Sequence, residues 1–314
     1  TLDLLKSFKR VEIGHSELLF DYLPILYQFN PEYEELGKSI LKNRFDEITY
    51  NICISRNINF RLKDISSIFK HPSWFNYLIN LLKSPPDDKA IEKIIAPKIN
   101  IPIWTHATSF NNDFYIKAFK ERVKILFTVR DPLFSINNYA TYLDRIVQTP
   151  RELQLKYFIN GNEYPWYAKQ WEEEFIKVNS TEKSIKILSD NYNNFFKNMI
   201  PNKKIKRSKK LIIFFENLIL DTDKNFQKIA DFLSLDYRKN LYSKLKRKNN
   251  IPRKSANSIE GYHKRYEEKN MKYYDAITTN LLSDINLKVR PVYFQMLLNL
   301  IEKYYQFKAE FDIN

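Results

Sequence analysis

The apolar positions of this chain follow two rhythms. Short continuous runs at residues 99–105, 124–129 and 211–215 are rich in Ile, Val, Leu and Phe and read as buried strands. A fourth short strand is expected at 10–14, ending at Gly14. Between these runs the apolar residues recur at helical spacing. Helices are predicted from residue 1, over most of 17–95 with breaks at Pro24, Pro31, Pro72 and Ser84-Pro85-Pro86, over 131–144, around Trp166 to Trp171, and over Thr222–Leu233. The residues from about 265 to 314 read as aromatic-rich terminal helices.

Short apolar strands alternating with helices predict an α/β fold, with a mostly parallel central sheet covered by helices on both faces in a three-layer sandwich. The expected organisation is one domain over residues 1–314, with a helical insertion at about 20–95. Repeats and low-complexity tracts are absent from the pattern. The lysine- and arginine-rich run at 202–210 reads as an exposed loop before the last strand.

Composition narrows the classes. In 314 residues, 44% hydrophobic and 28% charged content suits a folded chain with a sizeable core. The formal net charge of +14 favours anionic partners: nucleotides, phosphorylated or sulfated substrates, nucleic acid or a membrane surface. Cys53 is the single cysteine, which excludes an intramolecular disulfide and zinc sites built on cysteine pairs. The histidines show no HxxxH or HExxH spacing, so no metal is expected. No run reaches the ~18 apolar residues of a membrane span, and the single cysteine fits a reducing compartment, so a cytoplasmic location is the expectation. Strings typical of RNA- or DNA-binding modules are also missing, so nucleic acid is not the expected partner.

Open α/β sheets bind ligands at the carboxyl ends of their strands. Four polar strand ends are therefore of interest: His15-Ser16-Glu17, Thr105-His106, Arg130-Asp131-Pro132 and Glu216-Asn217. A neutral histidine suits removal of a hydroxyl proton. An arginine suits bidentate grip on a phosphate. Glu17 is a second candidate base.

In this order the segments resemble the family of sulfotransferases that use 3'-phosphoadenosine-5'-phosphosulfate (PAPS). Thr105-His106 is similar to the family's Lys-Thr-His strand end, with Trp104 in place of the lysine. Val129-Arg130-Asp131-Pro132 followed by Asn138 resembles its 3'-phosphate motif, with Asn138 where the family has serine. Phe214-Phe215-Glu216-Asn217-Leu218 with Phe232-Leu233 resembles a third motif. Arg253-Lys254-Ser255 with Glu260-Gly261-Tyr262 resembles the loop that closes over the nucleotide, Ser255 replacing a glycine. The resemblance implies a P-loop-type fold, PAPS as co-substrate, no metal, and in-line sulfuryl transfer to an acceptor of unread class: carbohydrate, lipid, small alcohol or protein. It implies His106 or Glu17 as general base, and Arg130, Asn138, Arg253, Lys254, Ser255 and Thr1 as nucleotide contacts. The family's phosphosulfate loop has no counterpart here, and Thr1-Leu2-Asp3-Leu4-Leu5 resembles the residues that follow it. That loop is expected upstream of Thr1.

Two other functions share the pattern. A P-loop nucleotide kinase would need a GxxxxGK[ST] loop and a magnesium-binding acid. A basic binding protein of the same fold would have lost catalysis altogether.

Overall fold

The computed structural model describes residues 2–64, 66–83, 88–89, 91–92, 99–106, 112–147, 149–150, 152–199, 208–252 and 271–312. In chain order the helices are α1 (Leu2–Leu5), α2 (Leu18–Phe29), α3 (Glu34–Cys53), α4 (Trp74–Lys83), α5 (Asn112–Phe119), α6 (Leu133–Arg145), α7 (Glu172–Phe175), α8 (Ser180–Met199), α9 (Phe215–Leu220), α10 (Thr222–Leu233), α11 (Lys239–Lys248), α12 (Met271–Asn286) and α13 (Pro291–Asp312). The strands are β1 (His15–Ser16), β2 (Ile103–Trp104), β3 (Ile125–Val129), β4 (Lys156–Ile159), β5 (Asn162–Pro165) and β6 (Lys210–Phe214). The chain is mixed α/β and mainly helical. It divides into two compact units, Thr1–Ile125 with Phe226–Ile251, and Leu126–Asn225 with Pro252–Asn314.

The described strands form three two-stranded sheets, β1–β2, β3–β6 and β4–β5, where one central sheet was expected. In the first unit β1 and β2 are parallel, with His15 opposite Ile103 and Ser16 opposite Trp104. The expected strand at 10–14 is reduced to a parallel bridge of Val11 with Asn100. Pro102 explains much of this. It has no N–H to donate to a ladder, and between the bridge and the strand pair the register slips by one residue. Gly14 sits in that interruption for a steric reason. A Cβ there would lie 2.7 Å from Cζ3 of Trp104.

Helix α2 runs through Pro24, where a break was expected. An interior proline leaves the carbonyl four residues earlier without its helical donor. Here that carbonyl belongs to Phe20, and the buried hydroxyl of Tyr115 from α5 donates to it. Phe20 and Phe119 stack beneath it, their ring centroids 6.2 Å apart. The same unit pins its early residues to its later ones. Phe8 stacks on Phe226 at 4.9 Å, Phe226 on Tyr242 at 4.2 Å, and Lys9 N–H donates to the Asp236 carbonyl.

In the second unit β3 alternates, with Ile125, Phe127 and Val129 buried and Thr128 exposed. A strand covered by helices on both faces would bury all five residues. Phe127 packs on Phe195 of α8, and Phe196 on Phe307 of α13 at 4.6 Å. Buried Glu182 holds the start of α13 by accepting both the backbone N–H and Nε–H of Arg290, each at 2.9 Å.

The helix expected around Trp166 to Trp171 is only a 3-10 turn at Trp166–Ala168, and it follows an unexpected antiparallel hairpin, β4–β5. Asn160 and Gly161 both have positive φ (50° and 78°), the geometry of a two-residue primed turn that Asn-Gly favours. The terminal helices begin at Met271, and what precedes them from 253 lies outside the described residues.

Candidate functional site

The first unit places its chemistry at the carboxyl ends of β1 and β2. Glu17 follows β1 and is the backbone N-cap of α2, yet its side chain makes no capping bond. Its Oε2 instead accepts Nε–H and Nη2–H of Arg44 on α3, at 3.0 and 2.6 Å. Arg44 also donates to Glu47 at 2.8 Å. The carboxylate proposed as a base is therefore anchored on one oxygen by a guanidinium. Burial lowers the pKa of neighbouring His15, with the Arg44 charge adding to this and Glu17 opposing it.

One helical turn beyond Glu17 stands Asp21, a lone acid in the apolar run Leu18–Leu26 and itself buried. A carboxylate in such a place requires partners. It finds them in the residue that ends the β2 segment. Asp21 Oδ1 accepts the backbone N–H of His106 at 2.6 Å, and Oδ2 lies 3.2 Å from His106 Nδ1. A carboxylate is an acceptor for a ring N–H, so His106 donates through Nδ1–H and, in the neutral ring, the free lone pair is on Nε2. The imidazole is 76% exposed while Asp21 is 10% exposed. The hydrogen bond to Asp21 raises the His106 pKa above the ordinary histidine value, against the opposing pull of burial. This buried-acid, exposed-histidine pair can orient a base and steady the imidazolium that forms. Tyr115 borders it, its phenol pKa pushed up by burial and by the Asp21 charge.

The sequence pattern singled out His106 and missed Asp21. The signal was available: an acid inside an apolar helix, in the turn that follows a strand, four residues after Glu17.

The second unit treats its strand ends differently. After β3, Asp131 is 2% exposed. Its Oδ1 accepts Leu133 N–H at 2.9 Å, and its Oδ2 accepts the Tyr305 hydroxyl at 2.7 Å. Its backbone N–H donates to Glu216 Oε1 at 2.9 Å, and Glu216 Oε2 accepts from Tyr304 at 2.9 Å. The Tyr192 hydroxyl donates to the Arg130 carbonyl. Burial raises the Asp131 pKa and lowers that of Arg130, with Glu216 the largest opposing influence on the arginine. The Arg130 guanidinium lies over Phe215 at 5.2 Å. The result is a tyrosine-rimmed carboxylate network beside a desolvated cation. Asn138 is on an exposed turn of α6 in the same unit.

Thr1, Arg253, Lys254 and Ser255, expected as nucleotide contacts, lie outside the described residues. Groups of three or more side chains fit to hold a metal are absent among the described residues. No described helix is long and apolar enough to cross a membrane. In comparisons with known proteins, no family model matches the chain and no curated sequence matches it.

Proposed function

We propose that this chain transfers a sulfuryl group from PAPS to an acceptor hydroxyl or amine, with His106 as general base. The observation that carries the reading is the His106–Asp21 pair, set where the strand-end motif of the resembling family carries its base. The chemistry is a direct displacement. His106 Nε2 takes the acceptor's proton as the acceptor oxygen or nitrogen bonds to sulfur. The bond from sulfur to the bridging phosphate oxygen breaks, and adenosine 3',5'-bisphosphate leaves with that electron pair. Asp21 keeps the Nδ1 proton in place and stabilises the imidazolium. Arg130 supplies a charged guanidinium for a phosphate, which the cost of its burial favours. Glu17 becomes a positioning residue that ties the start of α2 to α3. A P-loop-type sandwich and nucleotide contacts from Asn138, Arg253, Lys254, Ser255 and Thr1 belong to the same proposal.

The test is transfer from sulfur-labelled PAPS by the intact protein, across a panel of carbohydrate, sterol, phenol, amine and peptide acceptors. Labelled product, and binding of adenosine 3',5'-bisphosphate, are expected. Failure to bind that nucleotide, or phosphoryl transfer from ATP in its place, overturns the reading.

A further inference from the structure

Helix α4 carries an apolar stripe of which Trp74, Phe75 and Leu82 are exposed and Leu78 and Ile79 half-buried. Trp74, Leu78 and Leu82 follow one another at four-residue spacing, with Phe75 and Ile79 alongside, so all five share one arc of the helix. Phe75 is 59% and Leu82 84% exposed. The opposite arc holds Tyr77, which is buried and bonded to Glu12. The stripe is extended by an aromatic chain in the preceding segment. Phe60 lies 6.2 Å from Phe69, Phe69 lies 5.9 Å from Trp74, and Trp74 lies 5.7 Å from Phe75. Leu62 adds a further exposed side chain. Contiguous exposed apolar surface of this kind marks an interaction face rather than scattered surface leucines.

The charges around it identify the occupant. Residues 60–83 carry Arg61, Lys63, Lys70 and Lys83 against one carboxylate, Asp64. That carboxylate already faces Arg61, at 3.7 Å. Exposed Trp, Phe and Leu side chains with lysine or arginine next to them in the chain (Arg61 and Lys63 beside Leu62, Lys70 after Phe69, Lys83 after Leu82) suit the boundary between lipid headgroups and acyl chains. Lysines beside anionic headgroups add attraction that salt screens.

We propose that the α4 face, with Phe60, Leu62 and Phe69, docks this protein on an anionic lipid surface, α4 lying in the plane of the interface. This inference is independent of the sulfuryl-transfer reading.

Vesicle flotation tests it with phosphatidylcholine alone and with phosphatidylcholine containing phosphatidylserine. The protein should float with the anionic vesicles, and less so as salt rises. The double variant Phe75→Ser/Leu82→Ser keeps every charge, so adsorption by the net charge of +14 alone would survive it. The partition coefficient of this variant should fall at least about tenfold, while circular dichroism confirms an unchanged fold. Lys63→Glu/Lys70→Glu should abolish the preference for anionic vesicles. Retained flotation of the serine variant, or no flotation of the unaltered protein, overturns the proposal. A concentration-dependent dimer lost in the serine variant, without vesicle binding, assigns the face to a second copy instead and also overturns it.

Discussion

At the end of β2 the chain leaves an imidazole exposed and buries only the acid behind it. At the end of β3 it turns the acid inward and closes tyrosines over it. Both are polar strand ends of the kind from which α/β proteins build sites, and both rest on an aspartate. In the first, Asp21 comes from a neighbouring helix and clamps His106 at two atoms. In the second, Asp131 is in the strand-end segment itself and is consumed by Leu133, Tyr305 and the rest of its own unit. What separates the open strand end from the closed one is therefore where the acid's hydrogen-bonding capacity goes. The identity of the residue after the strand does not decide it.

If that distinction is right, the largest effect belongs to the open pair. His106→Ala should lower turnover by at least about 10²-fold while leaving nucleotide binding nearly intact. Asp21→Asn should do the same by a different route. Since Asp21 holds the His106 pKa up, activity should rise with pH through a midpoint above the ordinary histidine range. The asparagine variant should shift that midpoint down. A pH profile unmoved by Asp21→Asn would dissolve the pair.

The closed network should answer in stability. Asp131→Ala removes the acceptor of two hydrogen bonds, from Leu133 N–H and from the Tyr305 hydroxyl, at a cost of about 2–4 kcal/mol in denaturant melts. Asp131→Asn should cost less, because burial already disfavours the charge. Equal losses for the two variants would mean the charge, not the hydrogen bonds, matters there.

A buried histidine of the first unit supplies an internal contrast. His71 donates Nε2–H to the Val11 carbonyl and accepts Ser73 N–H at Nδ1, and burial depresses its pKa to about 4. The unfolded chain takes that proton first on acidification. Stability should be complete above about pH 6.5 and fall as pH drops toward 4, by up to about 3 kcal/mol. His71→Gln should flatten this limb in acid-denaturation curves, whereas His106→Ala should leave it intact.

Smaller effects remain. Arg130→Ala should weaken adenosine 3',5'-bisphosphate binding by about 1.5–3 kcal/mol in calorimetry, and unchanged affinity would reassign Arg130 to the structural network. Tyr115→Phe should cost about 1 kcal/mol, the loss of the donor that completes the helix at Pro24.

Some of this was legible in the sequence. The runs at 124–129 and 211–215 matched β3 and β6 within a residue, and α10 has the predicted bounds, because continuous apolar runs and clear helical periods carry their own signal. His106 and Arg130 were legible as polar residues directly after such runs. The strand at 10–14 was misread because alternation at Val11 and Ile13 looks like a strand, while the proline that interrupts its ladder is in the partner segment. The hairpin went unread although Asn160-Gly161 announces it, since the aromatic residues after it suggested a helix. Arg44 could not be paired with Glu17 by inspection: nothing local links two residues 27 apart. The helical course through Pro24 depends on Tyr115, which comes from a different segment altogether.

The clamp on His106 also has a history in time. Asp21 and His106 are 85 residues apart, and the parallel pairing of β1 with β2 closes a loop of similar size. Contacts of such separation form late, because the entropy of closing the loop comes before any return on it. During synthesis, the acid in its apolar helix waits without its imidazole until the 85 residues that separate them have emerged. A nascent or partly unfolded chain would hold every atom of the pair and none of its orientation, so His106 would gain its clamp only with the first unit's long-range closure.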